Sequence, residues 1–212
     1  VYRHGLGKFR GCPAFRLRDT SERTELKPIR EFASFPLEWL EGNEKRIEIV
    51  ERNTTILLEG YRASNVLIWG PRGCGKSSLI RGLITRYYSR GLRGIEISPE
   101  AYANIPEIFA EVRGRRESFI GVLDNISMVG REPSVHTLAR ALDGCLENMP
   151  QNLAFYATSN YKDLVDREGE RLQGLGIMQM DADESVSTPN LVNQGKQPGQ
   201  YDPQQGERLD EQ

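Results

Sequence analysis

Residues 66 to 78, VLIWGPRGCGKSS, constrain the fold more than any other stretch. The short apolar run Val66 to Trp69 has the length and composition of a buried parallel strand. It leads into Gly70-Pro-Arg-Gly-Cys-Gly75-Lys76-Ser77, which satisfies G-x-x-x-x-G-K-[ST] at every fixed position. Leu79, Ile80, Leu83 and Ile84 then recur at helical spacing. Glycines let the backbone wrap closely around a phosphate, because no Cβ blocks the approach. The loop N–H groups and the N-terminus of the next helix attract an anion to one spot. In that geometry Lys76 reaches the β- and γ-phosphates of a nucleotide, and Ser77 ligates Mg²⁺. The competing reading is a glycine-rich turn that happens to fit; the strand before and helix after argue against it.

The chain continues as an alternation. A helix is expected over 76–89, ended by Gly91, and LRGIEIS (92–98) reads as a second strand. A short helix at 103–112, an apolar strand FIGVLD (119–124), a helix at roughly 134–147 and a strand LAFYATSN (153–160) follow. Upstream, residues 37–60 read as a helix with Asn43 as candidate N-cap and Gly60 as its stop. This helix is expected beside the loop, with its upstream connector within reach of a base. Strands alternating with helices at this spacing predict a three-layer α/β fold, a parallel sheet wrapped by helices.

Two further residues complete a candidate site. Asp124 ends the apolar strand FIGVLD, where ligands of open α/β sheets gather, and is placed to approach Mg²⁺. Asn160 ends LAFYATSN; an amide there can hold the γ-phosphate or orient the attacking water. Asp and Asn are also ordinary turn residues at strand ends, which is the plainer reading of both.

Loop, strand ending in Asp and strand ending in T-S-N, in this order, resemble the ATPase core of the AAA+ superfamily. NVLIWGPRGCGKSSLIRGL, RGLRGIEIS, RGRRESFIGVLDNIS and NLAFYATSN are similar, more closely, to one bacterial AAA+ family known only as a domain of unknown function. The similarity covers about residues 28–168. It implies a core sheet of order 5-1-4-3-2, ATP with Mg²⁺, and a homo-oligomer or ring. Gly70, Pro71, Arg72, Gly73, Cys74, Gly75, Lys76, Ser77 and Ser78 then carry phosphate and Mg²⁺ binding. Asp124 becomes the Walker B acid and a metal ligand with Ser77, and Asn160 resembles sensor 1. One departure stands out: the second acid that usually follows the Walker B Asp is here Asn125, an amide that orients water but is a very poor base. Glu132 is the nearest weak substitute.

The flanks carry less. Residues 1–30 hold eight Lys/Arg and three Asp/Glu without sustained period, and read as a basic arm or linker. Its charge suits nucleic acid or an acidic partner, although a solvated, poorly ordered flank is the simpler expectation. Residues 31–168 are assigned to the core, and 169–212, rich in Gln, Pro, Asn, Asp and Gly, to a polar disordered tail or surface excursion. No fifth strand, arginine finger or lid is recognisable, so the chain reads as a piece of a longer protein. Strand one is then expected at an exposed edge, with a cost in stability. No run of 18 apolar residues crosses a membrane. Three scattered cysteines, Cys12, Cys74 and Cys145, form no metal spacing and fit reduced thiols in the cytoplasm.

Two functions compete. One is an ATPase whose Mg-dependent hydrolysis remodels a protein or nucleic-acid partner. The other is a nucleotide-dependent binding switch that barely hydrolyses, which Asn125 favours. A nucleoside kinase is disfavoured because the dense cluster Arg113, Arg115 and Arg116 precedes strand three, away from the phosphates. A GTPase is disfavoured because TSNYKD lacks the N-K-x-D spacing.

Overall fold

A computed structural model describes residues 7–19, 24–42, 44–126, 137–138, 141, 149–160 and 177–180. The strands among them are β1 (Ala14–Asp19), β2 (Thr24–Pro28), β3 (Asn65–Trp69), β4 (Leu92–Glu96), β5 (Ser118–Leu123), β6 (Leu153–Ser159) and β7 (Ile177–Met180). The helices are α1 (Glu44–Leu58), α2 (Lys76–Tyr87) and α3 (Ile105–Val112). Most of the helix expected at 134–147, with Glu132 and Cys145, lies outside the described residues.

The strands form one sheet in the order β2-β1-β4-β5-β6-β3-β7. All ladders from β1/β4 to β3/β7 are parallel, and only β1/β2 is antiparallel. Numbered from the loop strand β3, the run from β7 to β4 follows 5-1-4-3-2. Two expectations are corrected here. The missing fifth strand is present: Ile177–Met180 pairs with Asn65–Ile68, so β3 is interior and the exposed-edge argument falls. Ala14–Asp19 and Thr24–Pro28 are strands of the sheet rather than parts of an arm. Phe15 and Leu17 point inward while Arg16 and Arg18 face solvent, a period-two pattern masked by basic composition. Arg16 pairs with Glu96 on β4, and Lys27 with Glu25, so part of the basic charge is neutralised within the molecule.

Each sheet face buries its own core. Phe15, Ile95, Ile105, Phe109, Phe119 and Phe155 pack on the α3 side. Val50, Leu57, Val66, Ile68, Leu83, Ile120 and Tyr156 pack on the α1/α2 side. Successive residues of β5 and β6 go to opposite faces, as the strand pleat requires. Those strands are buried on both faces, which is why they read as continuous apolar runs.

The first helix is shorter than expected. Leu37–Trp39 is a 3-10 turn after Pro36, and Gly42 with φ of 75° breaks the path before α1 begins. A left-handed residue cannot continue a helix. The connector instead runs along α2: the Phe35 N–H donates to Thr85 Oγ1 (3.2 Å), Leu37 covers Gly82, and Leu40 covers Gly75.

A buried polar network joins α1 to the sheet. Asn53 Nδ2 donates to the Tyr156 hydroxyl (3.0 Å), which also bonds Thr54 Oγ1 (2.9 Å). Burial pushes the Tyr156 phenol up to about 12, with partial relief from Thr54 and Asn53. The folded pKa exceeds the unfolded one, so the neutral phenol's contribution is full below pH about 10 and fades as pH rises toward 12. Tyr156→Phe should cost about 1–2 kcal/mol near neutrality by leaving polar partners unmatched. Its deficit relative to the wild type should shrink between pH 8 and pH 11 by about 1 kcal/mol. Urea unfolding at both pH values checks this; a constant deficit would sink the argument.

Candidate functional site

The glycine loop joins the C-terminal end of β3 to α2. Gly73 and Gly75 have φ of 81° and 87°, left-handed values that suit glycine. A Cβ on Gly73 would meet nothing within 4 Å, whereas one on Gly75 would lie 2.9 Å from Leu40 Cδ2. Gly75 is therefore held from behind by the connector, and the loop's outer side at Gly73 is open.

Lys76 is buried at the start of α2. Its ammonium donates to Gly70 O (2.8 Å), Pro71 O (2.8 Å) and Asn160 Oδ1 (3.1 Å), and lies 3.8 Å from Cys74 Sγ. One residue on, Ser77 Oγ donates to Asp124 Oδ1 at 2.8 Å. Asn160 Nδ2 donates to Asn125 Oδ1 at 2.7 Å. The sheet order explains the convergence. Gly70, Asp124 and Asn160 each follow the last residue of a strand, and β3, β6 and β5 are neighbours. Parallel strands deliver their C-terminal ends to one side.

The structure thus brings Lys76, Ser77, Asp124, Asn125 and Asn160 together, 35 to 84 residues apart in the pairs that cross elements. Pro71, Arg72 and Gly73 form the exposed outer part of the loop, Cys74 is half-buried, and Ser78 lies in the first turn of α2. Arg113, Arg115 and Arg116 sit before the start of β5, at the end opposite Asp124. Arg115 lies over the Phe9 ring instead (5.3 Å).

Oxygen donors fit a hard divalent cation: a serine hydroxyl and a carboxylate stand within hydrogen-bond distance beside the anion-attracting end of a 12-residue helix. Among the described residues no cluster of three His, Cys, Asp or Glu side chains forms a self-contained metal cage. Such a donor set suits a cation that shares its ligands with phosphate. Residue-pattern reasoning missed Thr158. It is buried, its hydroxyl donates to Asp124 Oδ1, and it accepts the Asn125 N–H at 2.8 Å. Its position inside LAFYATSN gives no sign of this, because the contact crosses strands.

A family model described as "Protein of unknown function (DUF815)" matches residues 10–189. The chain belongs to this family. The DUF815 span includes the β1/β2 hairpin and β7, so both additions to the expected sheet lie within it. No curated protein sequence matches. Among solved structures, Aeropyrum pernix ORC1 in complex with DNA is 17% identical, covering 66% of this chain and 44% of that one, with a TM-score of 0.50. The Thermotoga maritima RuvB Holliday junction branch migration motor is 16% identical, covering 66% and 45%, at a TM-score of 0.44. C. elegans PCH-2 is 16% identical, covering 59% and 39%, at 0.42. The DUF815 chain spans under half the length of each. The ORC1 likeness is one of fold alone. Among the described residues no helix is long and apolar enough to cross a membrane.

Proposed function

We propose that this chain binds ATP with Mg²⁺ at the Gly70–Ser78 loop and hydrolyses it slowly, in a homo-oligomer that remodels a protein or nucleic-acid partner. The observation that carries the reading is the 2.8 Å contact of Ser77 Oγ with Asp124 Oδ1 beside the buried Lys76 ammonium. Lys76 supplies the charge for the phosphates, and the Gly73 and Gly75 backbone supplies the close approach. Ser77 and Asp124 would hold Mg²⁺, which when bound neutralises charge on the phosphate oxygens. Asn160 links Lys76 to Asn125, and in this reading the amide pair orients the attacking water. Leu40, packed on Gly75, holds the connector against the phosphate loop.

The Asn125–Asn160 bond favours a second reading, a switch that binds nucleotide and turns over little. An amide side chain orients water through its dipole and takes no proton at neutral pH. Binding and turnover measured side by side separate the two. Turnover above a loop variant supports the ATPase, and binding without turnover supports the switch. Asp124→Asn tests the site itself. It should remove most of the gain in ATP affinity that Mg²⁺ brings, about tenfold or more, and take turnover to background. An Mg²⁺ dependence equal to the wild type's would refute the assignment of Asp124.

A further inference from the structure

Resting on the reading above, we infer that Thr158 is a positioning residue: it fixes the Asp124 carboxylate for the cation and sets the backbone of residue 125. Three consecutive residues after β5 are tied to this one threonine. Its hydroxyl donates to Asp124 Oδ1 and accepts the Asn125 N–H at 2.8 Å. Its carbonyl accepts the Ile126 N–H at 2.8 Å. A hydroxyl has one proton to give, so the donor goes to the carboxylate and a lone pair takes the amide.

The arrangement does two jobs. Asp124 is an exposed strand-end side chain, free to rotate unless something holds it. Ser77 also donates to Oδ1, but Ser77 is itself expected to turn its oxygen toward the cation. Thr158 is 1% exposed on the interior strand β6, so it holds the same oxygen from a rigid base. Groups that orient a ligand in this way typically alter metal affinity by 10- to 100-fold when removed. The second job concerns Asn125, whose φ of 56° makes it the only non-glycine described residue with positive φ. Asn tolerates the left-handed region better than most residues. Held by Thr158 through its N–H, residue 125 turns its amide toward Asn160 Nδ2, 2.7 Å away. The clamp thereby explains why position 125 suits an asparagine.

Thr158→Val keeps the shape and removes the hydroxyl; Thr158→Ser keeps the hydroxyl. ATP binding is titrated with Mg²⁺ and, separately, measured in EDTA, with thermal unfolding alongside. Thr158→Val should need about tenfold more Mg²⁺ for half-maximal binding while its affinity in EDTA is unchanged, and Thr158→Ser should restore the wild-type requirement. An unchanged Mg²⁺ requirement in Thr158→Val overturns the inference and leaves the proposed function standing. Equal weakening in EDTA and Mg²⁺ together with a lowered melting temperature also overturns it, since Thr158 would then be only structural. Wild-type binding that ignores Mg²⁺, or no binding at all, overturns the proposed function and the inference with it.

Discussion

Lys76→Ala should weaken ATP binding by about 100-fold or more, equivalent to about 3 kcal/mol. The lysine ammonium is the one buried cation at the mouth of the glycine loop among the described residues. A hydrogen bond to a charged partner contributes about 1.5–3 kcal/mol, roughly twice a neutral one, and a phosphate chain offers Lys76 more than one oxygen. Among the described residues no nearby cation can substitute. Arg72 is exposed on the outer loop, and Arg81 folds back on Ser77 O (3.3 Å). The substitution also removes the bonds to Gly70 O, Pro71 O and Asn160 Oδ1. Alanine is a good helix former, so α2 should persist. Isothermal titration with ATP and Mg²⁺, paired with circular dichroism of the variant, gives the answer. Wild-type affinity in a folded Lys76→Ala protein would rule out the loop as the phosphate site.

Gly121→Val should be the most damaging single change to the fold, lowering stability by about 3 kcal/mol or more through overpacking. Strand propensity points the other way, since valine favours sheet and glycine weakens it, but that preference spans only about 1 kcal/mol. Packing decides. A Cβ at Gly121 would lie 2.5 Å and 2.6 Å from Phe155 Cδ1 and Cε1, and 3.4 Å from Ile97 Cδ1. Phe155 is 2% exposed and wedged in the α3-side core, with no solvent into which to swing. The missing side chain of Gly121 is the space the Phe155 ring fills. The melting temperature should fall by about 10 °C for a chain of this size. Because Asp124 follows β5 directly, nucleotide binding should fall with it. A Gly121→Val protein that melts with the wild type would show that β5 and β6 are spaced differently.

The loop, its strand and its helix were legible because the motif carries its own context within 13 residues, and local geometry alone places Lys76 and Ser77. Asp124 and Asn160 were legible as ends of apolar runs, since β5 and β6 are buried on both faces. The hairpin was not, because four alternating residues, Phe15 to Arg18, are outweighed by charge and glycine around them. Strand β7 was missed for a related reason. Ile177–Met180 is four residues long in a polar stretch, and an edge strand needs little local signal once β3 offers it a ladder. Arg93 shows the same limit. A charged residue inside the strand LRGIEIS, it is fully buried, donates to Phe9 O (3.0 Å) and stacks on Tyr88 at 4.2 Å. That burial lowers its pKa.

The sequence by itself determined the candidate site: a glycine loop with Lys76 and Ser77, an acid after one apolar strand, and an amide after another. It did so because backbone freedom, helix ends and strand burial leave periodic, local marks. Only the tertiary structure decided what holds those groups in place. Leu40 behind Gly75, Phe155 over Gly121 and Thr158 beneath Asp124 are contacts between elements distant in the chain. Contacts of that kind depend on strand order and register, and a side chain's local sequence carries no record of its partner across the sheet.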